Sequence, residues 1–111
     1  MKNKMFVVRT SELPEEMQNW DWKELVYPEF QTYPEVPCVL VIADVTYGVV
    51  VPHQVSMTSN LRNFFKSFLT TVGVSAHNTG RVVFYVEENN DNKRKEMKKA
   101  LQDFLNIHMV L

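Results

Sequence analysis

The chain has 111 residues, of which 45% are hydrophobic and 23% charged, so it can bury one core and is not depleted in the way disordered proteins are. The formal net charge of −1 indicates no partner by itself. A single cysteine, Cys38, excludes an intramolecular disulfide, and its apolar neighbours predict a buried thiol in a reducing compartment. We therefore expect one domain spanning residues 1–111, located in the cytoplasm.

The first 26 residues predict a strand followed by a helix. Met5–Arg9 is apolar on both sides, which is typical of a central strand, and it is too short for a signal sequence or a membrane span. Ser11 is a suitable N-cap, and Pro14 is tolerated in a first turn. We expect the helix to reach about Val26, because Pro28 disfavours helical geometry in the residue before it.

The segment Tyr27–Pro37 contains three prolines, which exclude a helix and a central strand and favour an extended connection. The chain around it is rich in aromatic residues, and such residues anchor many protein interfaces. One interpretation is therefore a surface for a protein partner; the other is a loop held across the core by its own aromatic side chains. The candidate partner-binding residues are Trp20, Trp22, Tyr27, Phe30 and Tyr33.

The middle of the chain predicts a hairpin and an amphipathic helix. Two apolar runs, Cys38–Ala43 and Tyr47–Val51, are joined by Asp44–Thr46, and Gly48 suggests a bulge near the turn. Ser56–Gly73 then has helical spacing of apolar residues on one face and no carboxylate on the other. The predicted core stripe consists of Leu61, Phe64, Phe65, Phe68, Leu69 and Val72.

The last third predicts a strand and a helix. Arg81–Glu87 reads as a strand, and a helix that begins at Asn90 or Asp91 carries an apolar stripe from Met97 to Leu105. Residues 107–111 fit either a short final strand or a docked tail. The opposite face of this helix carries the Lys93–Lys99 cluster, whose spacing from neighbouring acids allows ion pairs on a solvated surface.

The resulting order, β-α-β-β-α-β with an added C-terminal helix, predicts an α+β fold of the ferredoxin-like type. Such a domain has a four-stranded antiparallel sheet with two helices on one face. Right-handed crossovers would place the first strand and the Tyr47 strand in the centre of that sheet.

The charges are unevenly distributed along the chain. Residues 1–44 hold eight acids and four bases, whereas residues 45–86 hold no acid and three bases. This pattern allows a second function, nucleic-acid binding through phosphates, although a largely buried middle third explains it equally well. Its candidate residues are Arg62, Lys66, Arg81, Lys95 and Lys99. RNA-binding domains of the RRM type share the predicted order, but the segment 46–53 lacks their stacking aromatics beyond Tyr47.

Catalytic motifs are sparse. The three histidines, His53, His77 and His108, are too scattered for a linear zinc motif, and three glycines provide no phosphate-binding loop. The tripeptide His77–Thr79 matches the His-x-Thr signature of two-histidine phosphoesterases, but the second copy is missing because Val55 follows His53 and Gln54. A phosphodiesterase or ribonuclease that uses His77, with His53 as its acid–base partner, is the third hypothesis.

The sequence thus favours a small cytoplasmic protein-interaction module, a regulator, inhibitor or adaptor without catalytic activity. We expect no cofactor, no metal and no membrane contact. A homodimer through an exposed sheet edge also fits the predicted fold.

Overall fold

The computed structural model describes residues 7–8, 11–12, 14–27, 29–46, 49–72 and 80–105. These residues form six strands, three α-helices and one 3₁₀ turn. The elements are β1 (Val7–Val8), β2 (Ser11–Glu12), α1 (Glu15–Gln18), β3 (Lys23–Val26), the 3₁₀ turn (Phe30–Thr32), β4 (Cys38–Thr46), β5 (Val49–Thr58), α2 (Leu61–Val72), β6 (Arg81–Glu87) and α3 (Asp91–Leu105).

The strands form one sheet in the order β2-β1-β5-β4-β6-β3. Four of them, β5, β4, β6 and β3, pair antiparallel, whereas the short β1 pairs parallel with β5. The predicted α+β class with an antiparallel four-stranded sheet is therefore confirmed. Among the residues that the structure describes, no helix has the length and hydropathy needed to cross a membrane.

The ferredoxin-like order is not the order found. The prediction placed the first strand and the Tyr47 strand in the centre. The Tyr47 strand corresponds to β5 and is central, but its central neighbour is β4, whereas β1 lies next to an edge. The reason is that β4 is apolar on both faces: Val39 and Val41 belong to one core cluster and Leu40 and Ile42 to the other, all almost fully buried. A strand of this kind needs a partner strand on each side and a cover on each face.

The predicted helix over residues 11–26 is also wrong. Ser11 lies in β2, α1 covers only four residues, and Lys23–Val26 is a strand paired with β6. The helix ends early because Trp22 turns its indole Nε1–H back to the carbonyl of Met17, at 2.7 Å. That hydrogen bond occupies a carbonyl at the helix end and directs the following residues toward the sheet.

The two long helices cover opposite faces of the sheet. The prediction placed the helix of residues 11–26 and α2 on one face, but Met17 of α1 belongs to the core cluster of α3 and not to that of α2. Helix α2 buries Leu61, Phe65 and Leu69 against one face, and α3 buries Met97 and Leu101 against the other. The amphipathic stripe of α2 is confirmed from Leu61 to Leu69, whereas the side chain of Val72 lies outside those described. However, the helix begins at Leu61 and not at Ser56, because β5 continues to Thr58 and the Oδ1 of Asn60 accepts the backbone N–H of Asn63.

The β4–β5 hairpin is confirmed, but residues 44–46, predicted as its connection, belong to β4, which continues to Thr46. Residues 47–48, Gly73 and the tail 107–111, for which we predicted a bulge, the end of a helix and a strand or docked tail, lie outside the described residues. The hairpin does contain a bulge at another position. Ile42 pairs with Gln54 and Ala43 with Pro52, so His53 is the extra residue.

Candidate functional site

Four side chains, three from neighbouring strands and one from the turn after β3, form a row on the α2 face of the sheet. Asp44 of β4 accepts a hydrogen bond from the Nε of Arg81 on its Oδ1, at 2.9 Å. Its Oδ2 lies 2.6 Å from the Nε2 of His53, which the bulge in β5 turns toward it. The Cζ of Arg81 lies 5.5 Å from the centre of the Tyr27 ring, a cation–π contact that completes the row.

Asp44 remains ionised at neutral pH. Partial burial on its own would raise the pKa of this carboxyl group, but the hydrogen bonds from Arg81 and His53 lower it, and the net effect is a lowered pKa. Because an ionised carboxylate only accepts hydrogen bonds, the His53 proton lies on Nε2 when the ring is neutral. The arrangement therefore presents the Nδ1 lone pair of a half-exposed imidazole, as a general base would.

The aromatic residues proposed as a partner surface are mostly buried. Tyr33 is 0% exposed, and Trp22 and Tyr27 are also buried, whereas Trp20 and Phe30 are half-buried at the edges of the two core clusters. The Tyr33 ring packs edge-on against Phe65 with centroids 5.2 Å apart. The interpretation as a loop held across the core is the one that this burial favours.

Two hydrogen bonds attach the segment Tyr27–Pro37 to β3 and to α2. The hydroxyl group of Tyr33 donates to the carbonyl of Val26 at 2.9 Å, and the carbonyl of Tyr33 accepts the Nε of Arg62 at 2.8 Å. Burial raises the pKa of Tyr33, so this hydroxyl keeps its proton and its role as a donor. The segment therefore joins the end of β3 to helix α2.

The five candidate phosphate-binding residues are not brought together. Arg62 and Lys66 lie on α2 and Lys95 and Lys99 on α3, on opposite sides of the sheet, while Arg81 lies in the Asp44 row. Several of them face carboxylates. Lys99 lies 3.1 Å from Asp103, Lys95 lies 3.5 Å from Asp91, and Arg62 lies 3.9 Å from Glu35. Phosphate binding would therefore have to use separate surfaces or displace these acids.

Strand β3 is a feature that the sequence analysis missed. It is the outermost strand at one end of the described sheet, and Val26 is 64% exposed, the most exposed large hydrophobic residue among those described. Leu25 packs at the edge of the α2-side core, whereas Lys23 and Glu24 are exposed. A signal was present: charged residues followed by two apolar residues, shortly before a proline, are typical of an edge strand.

Cys38, His77 and His108 are the remaining candidate residues. Cys38 is buried, as predicted, and burial raises its pKa to about 12, which keeps the thiol protonated and unreactive. His77 and His108 lie outside the described residues, so the phosphodiesterase hypothesis stays a prediction. Within the part of the chain that the structure describes, no three His, Cys, Asp or Glu side chains are grouped to hold a metal ion.

Comparison with protein-family models, with curated proteins and with solved structures finds no match to this chain.

Proposed function

We propose that this protein is a protein-interaction module that binds an extended segment of its partner along the open edge of β3. The observation that supports the proposal is the position of β3 at the end of the sheet with Val26 largely exposed. A strand at a sheet edge offers backbone hydrogen bonds to an added strand, and an exposed side chain beside it offers a contact for specificity. A cytoplasmic location belongs to the same proposal.

The hydrogen bonds around Val26 support an open backbone edge. Its carbonyl accepts the hydroxyl of Tyr33 and the N–H of Glu29, at 2.9 and 3.2 Å, and neither group belongs to β6. In an antiparallel ladder the residues alternate between facing the partner strand and facing away. Glu24, two residues earlier, accordingly directs its N–H and C=O away from β6, where an incoming strand can pair with them.

The same contacts define the length of the binding edge. The Tyr33 hydroxyl occupies the Val26 carbonyl, so an added strand pairs with residues 23–25 and ends beside the Val26 side chain. So few backbone hydrogen bonds suit a reversible interaction, because each contributes about 1 kcal/mol net. Tyr27 and Tyr33 are buried in the core beside β3, so we expect them to support the position of this strand without contacting the partner.

The experiment selects peptides from a random library on the wild-type protein and maps them by amide chemical shifts. We expect the selected peptides to shift the amides of residues 23–26 and of β6, and to lose affinity for V26K. The matched control is F104K, because Phe104 is also exposed but lies on α3. Shifts confined to α2 or α3, or equal binding by wild type and V26K, would refute the proposal.

A second candidate function is supported by the Asp44–His53 hydrogen bond. A carboxylate that orients an imidazole is the arrangement used for general base catalysis, and phosphodiester hydrolysis was one of the functions considered from the sequence. The test is turnover of a generic aryl phosphodiester by wild type, H53A and D44N. Loss of activity in both variants would support this function, and turnover that survives both substitutions would exclude it.

A further inference from the structure

The edge of β3 carries an excess of negative charge. Asp21 and Glu24 are exposed beside or within the strand, and Glu29, whose N–H donates to the Val26 carbonyl, is exposed just after it. On the neighbouring strand, Glu87 is exposed two residues beyond Tyr85, the residue that pairs with Lys23. The strand itself contains a single basic residue, Lys23.

That basic residue is already engaged. The Nζ of Lys23 lies 2.9 Å from the Oδ2 of Asp21, and this hydrogen bond raises the pKa of Lys23. Most of the other described cationic side chains are paired with other carboxylates: Arg62 with Glu35, Arg81 with Asp44, Lys93 with Glu88, Arg94 and Lys95 with Asp91, and Lys99 with Asp103. A strand that pairs with β3 therefore enters a negative environment.

The pairing of β3 with β6 shows which side chains share a face. Glu24 lies opposite Phe84 and Val26 opposite Val82, so both project to the α3 side, whereas Lys23 and Leu25 project to the α2 side. An added strand would place one side chain opposite Glu24 and, two residues away, another next to Val26.

We propose that the segment bound by β3 is a basic extended peptide, with a lysine or arginine opposite Glu24 and an apolar residue beside Val26. This inference rests on the proposed function, and it adds the chemistry of the partner. The other strand pairs at this end of the sheet are antiparallel, so the matching pattern in the peptide is apolar–x–basic, read from its N-terminus. The pairing of opposite charges directly across two strands is favourable, whereas like charges oppose it.

The test uses three synthetic peptides with the same apolar residue and with lysine, glutamine or glutamate at the basic position. For the wild-type protein we expect affinity to fall in that order, by roughly threefold to fivefold at each step, and to fall further as salt is raised. For E24K we expect the order to reverse. The control E96K changes the same residue type on α3 and should keep the wild-type order.

The outcomes separate this inference from the proposed function. Equal affinities for the three peptides, with shifts still located at β3, would overturn the basic preference and leave the edge interaction standing. Absence of binding by all three peptides would count against both. Preference for the basic peptide that persists in E24K, with shifts away from β3, would show general attraction to the acidic surface and would also overturn the inference.

Discussion

The Nε2 of His53 lies 2.6 Å from the Oδ2 of Asp44, although the regular alternation of β5 would direct His53 to the other face of the sheet. The bulge between the pairs Ile42–Gln54 and Ala43–Pro52 adds His53 as an extra residue and turns its side chain toward Asp44. Arg81 holds the second oxygen of the same carboxylate, so three neighbouring strands are joined through one side chain.

Asp44 makes the stability depend on pH in the acidic range. Its pKa is lower in the folded protein than in the unfolded chain, so its contribution is fully present above the unfolded value of about 3.9 and is lost as the pH falls through the folded value. We expect D44N to lower the free energy of unfolding at pH 7 by roughly 1 kcal/mol or less, since the group is partly exposed. Denaturant unfolding at several pH values measures this.

The difference between wild type and D44N should shrink as the pH falls below the unfolded value of about 3.9 and through the lower folded value. D103N is the control, because Asp103 pairs with Lys99 on an exposed helix face and should have a smaller effect. A D44N difference that stays constant down to pH 2 would contradict the assignment.

Tyr33 fastens the aromatic segment through its hydroxyl group. Y33F keeps the ring against Phe65 but removes the hydrogen bond to the Val26 carbonyl, so we expect a loss of about 1 kcal/mol in the free energy of unfolding. Thermal and denaturant unfolding provide the measurement. T32A removes an exposed hydroxyl that donates to the Glu29 carbonyl and should cost less. Equal losses in the two variants would show that the Tyr33 hydroxyl has no special role.

Phe65 and Phe104 offer a matched pair, one buried on α2 and one exposed on α3. Phe65 is 0% exposed in the α2-side core, whereas Phe104 is 36% exposed on α3. We expect F65A to cost about 3–5 kcal/mol because it leaves a cavity, and F104A to cost less than about 1 kcal/mol. Similar losses for the two variants would contradict the packing of α2 against the sheet.

Cys38 provides a chemical probe of the core. Its thiol is buried and its pKa is raised to about 12, so a disulfide reagent should not modify the native protein at pH 8. We expect the modification rate to follow the unfolding equilibrium as denaturant is added. Rapid modification without denaturant, at the rate of a free thiol in an unfolded control, would contradict the position of β4 in the centre.

The sequence predicts those parts of the fold that depend on local periodicity. The stripe of α2, the doubly apolar β4 and most of the α3 stripe follow directly from residue spacing, although Phe104 of the α3 stripe is 36% exposed. Residues 23–26 were predicted as helix because Trp22, Leu25 and Val26 also fit a helical face, and only the pairing with β6 decides between the two. Sheet order depends in the same way on long-range contacts that no local pattern encodes.

The contacts of Asp44 and the exposed edge of β3 were harder to predict, because they also depend on which strands are neighbours. Asp44 and Arg81 are 37 residues apart in the chain, and their contact requires β4 and β6 to be neighbours, which the ferredoxin-like order does not provide. Because the sequence predicted a helix up to Val26, it did not predict an exposed strand edge there. The segregation of charge was visible, since residues 1–44 hold the acidic excess, but its position beside β3 depends on the fold.

The most direct test of the central claim is hydrogen–deuterium exchange of individual amides with and without a selected peptide. Edge pairing predicts that the Glu24 amide, which faces away from β6, exchanges quickly in the unbound protein and becomes protected on binding. The amides of β4, in the centre of the sheet, should be protected in both states. Unchanged exchange at Glu24, with new protection on α2 or α3, would contradict the proposed role of β3.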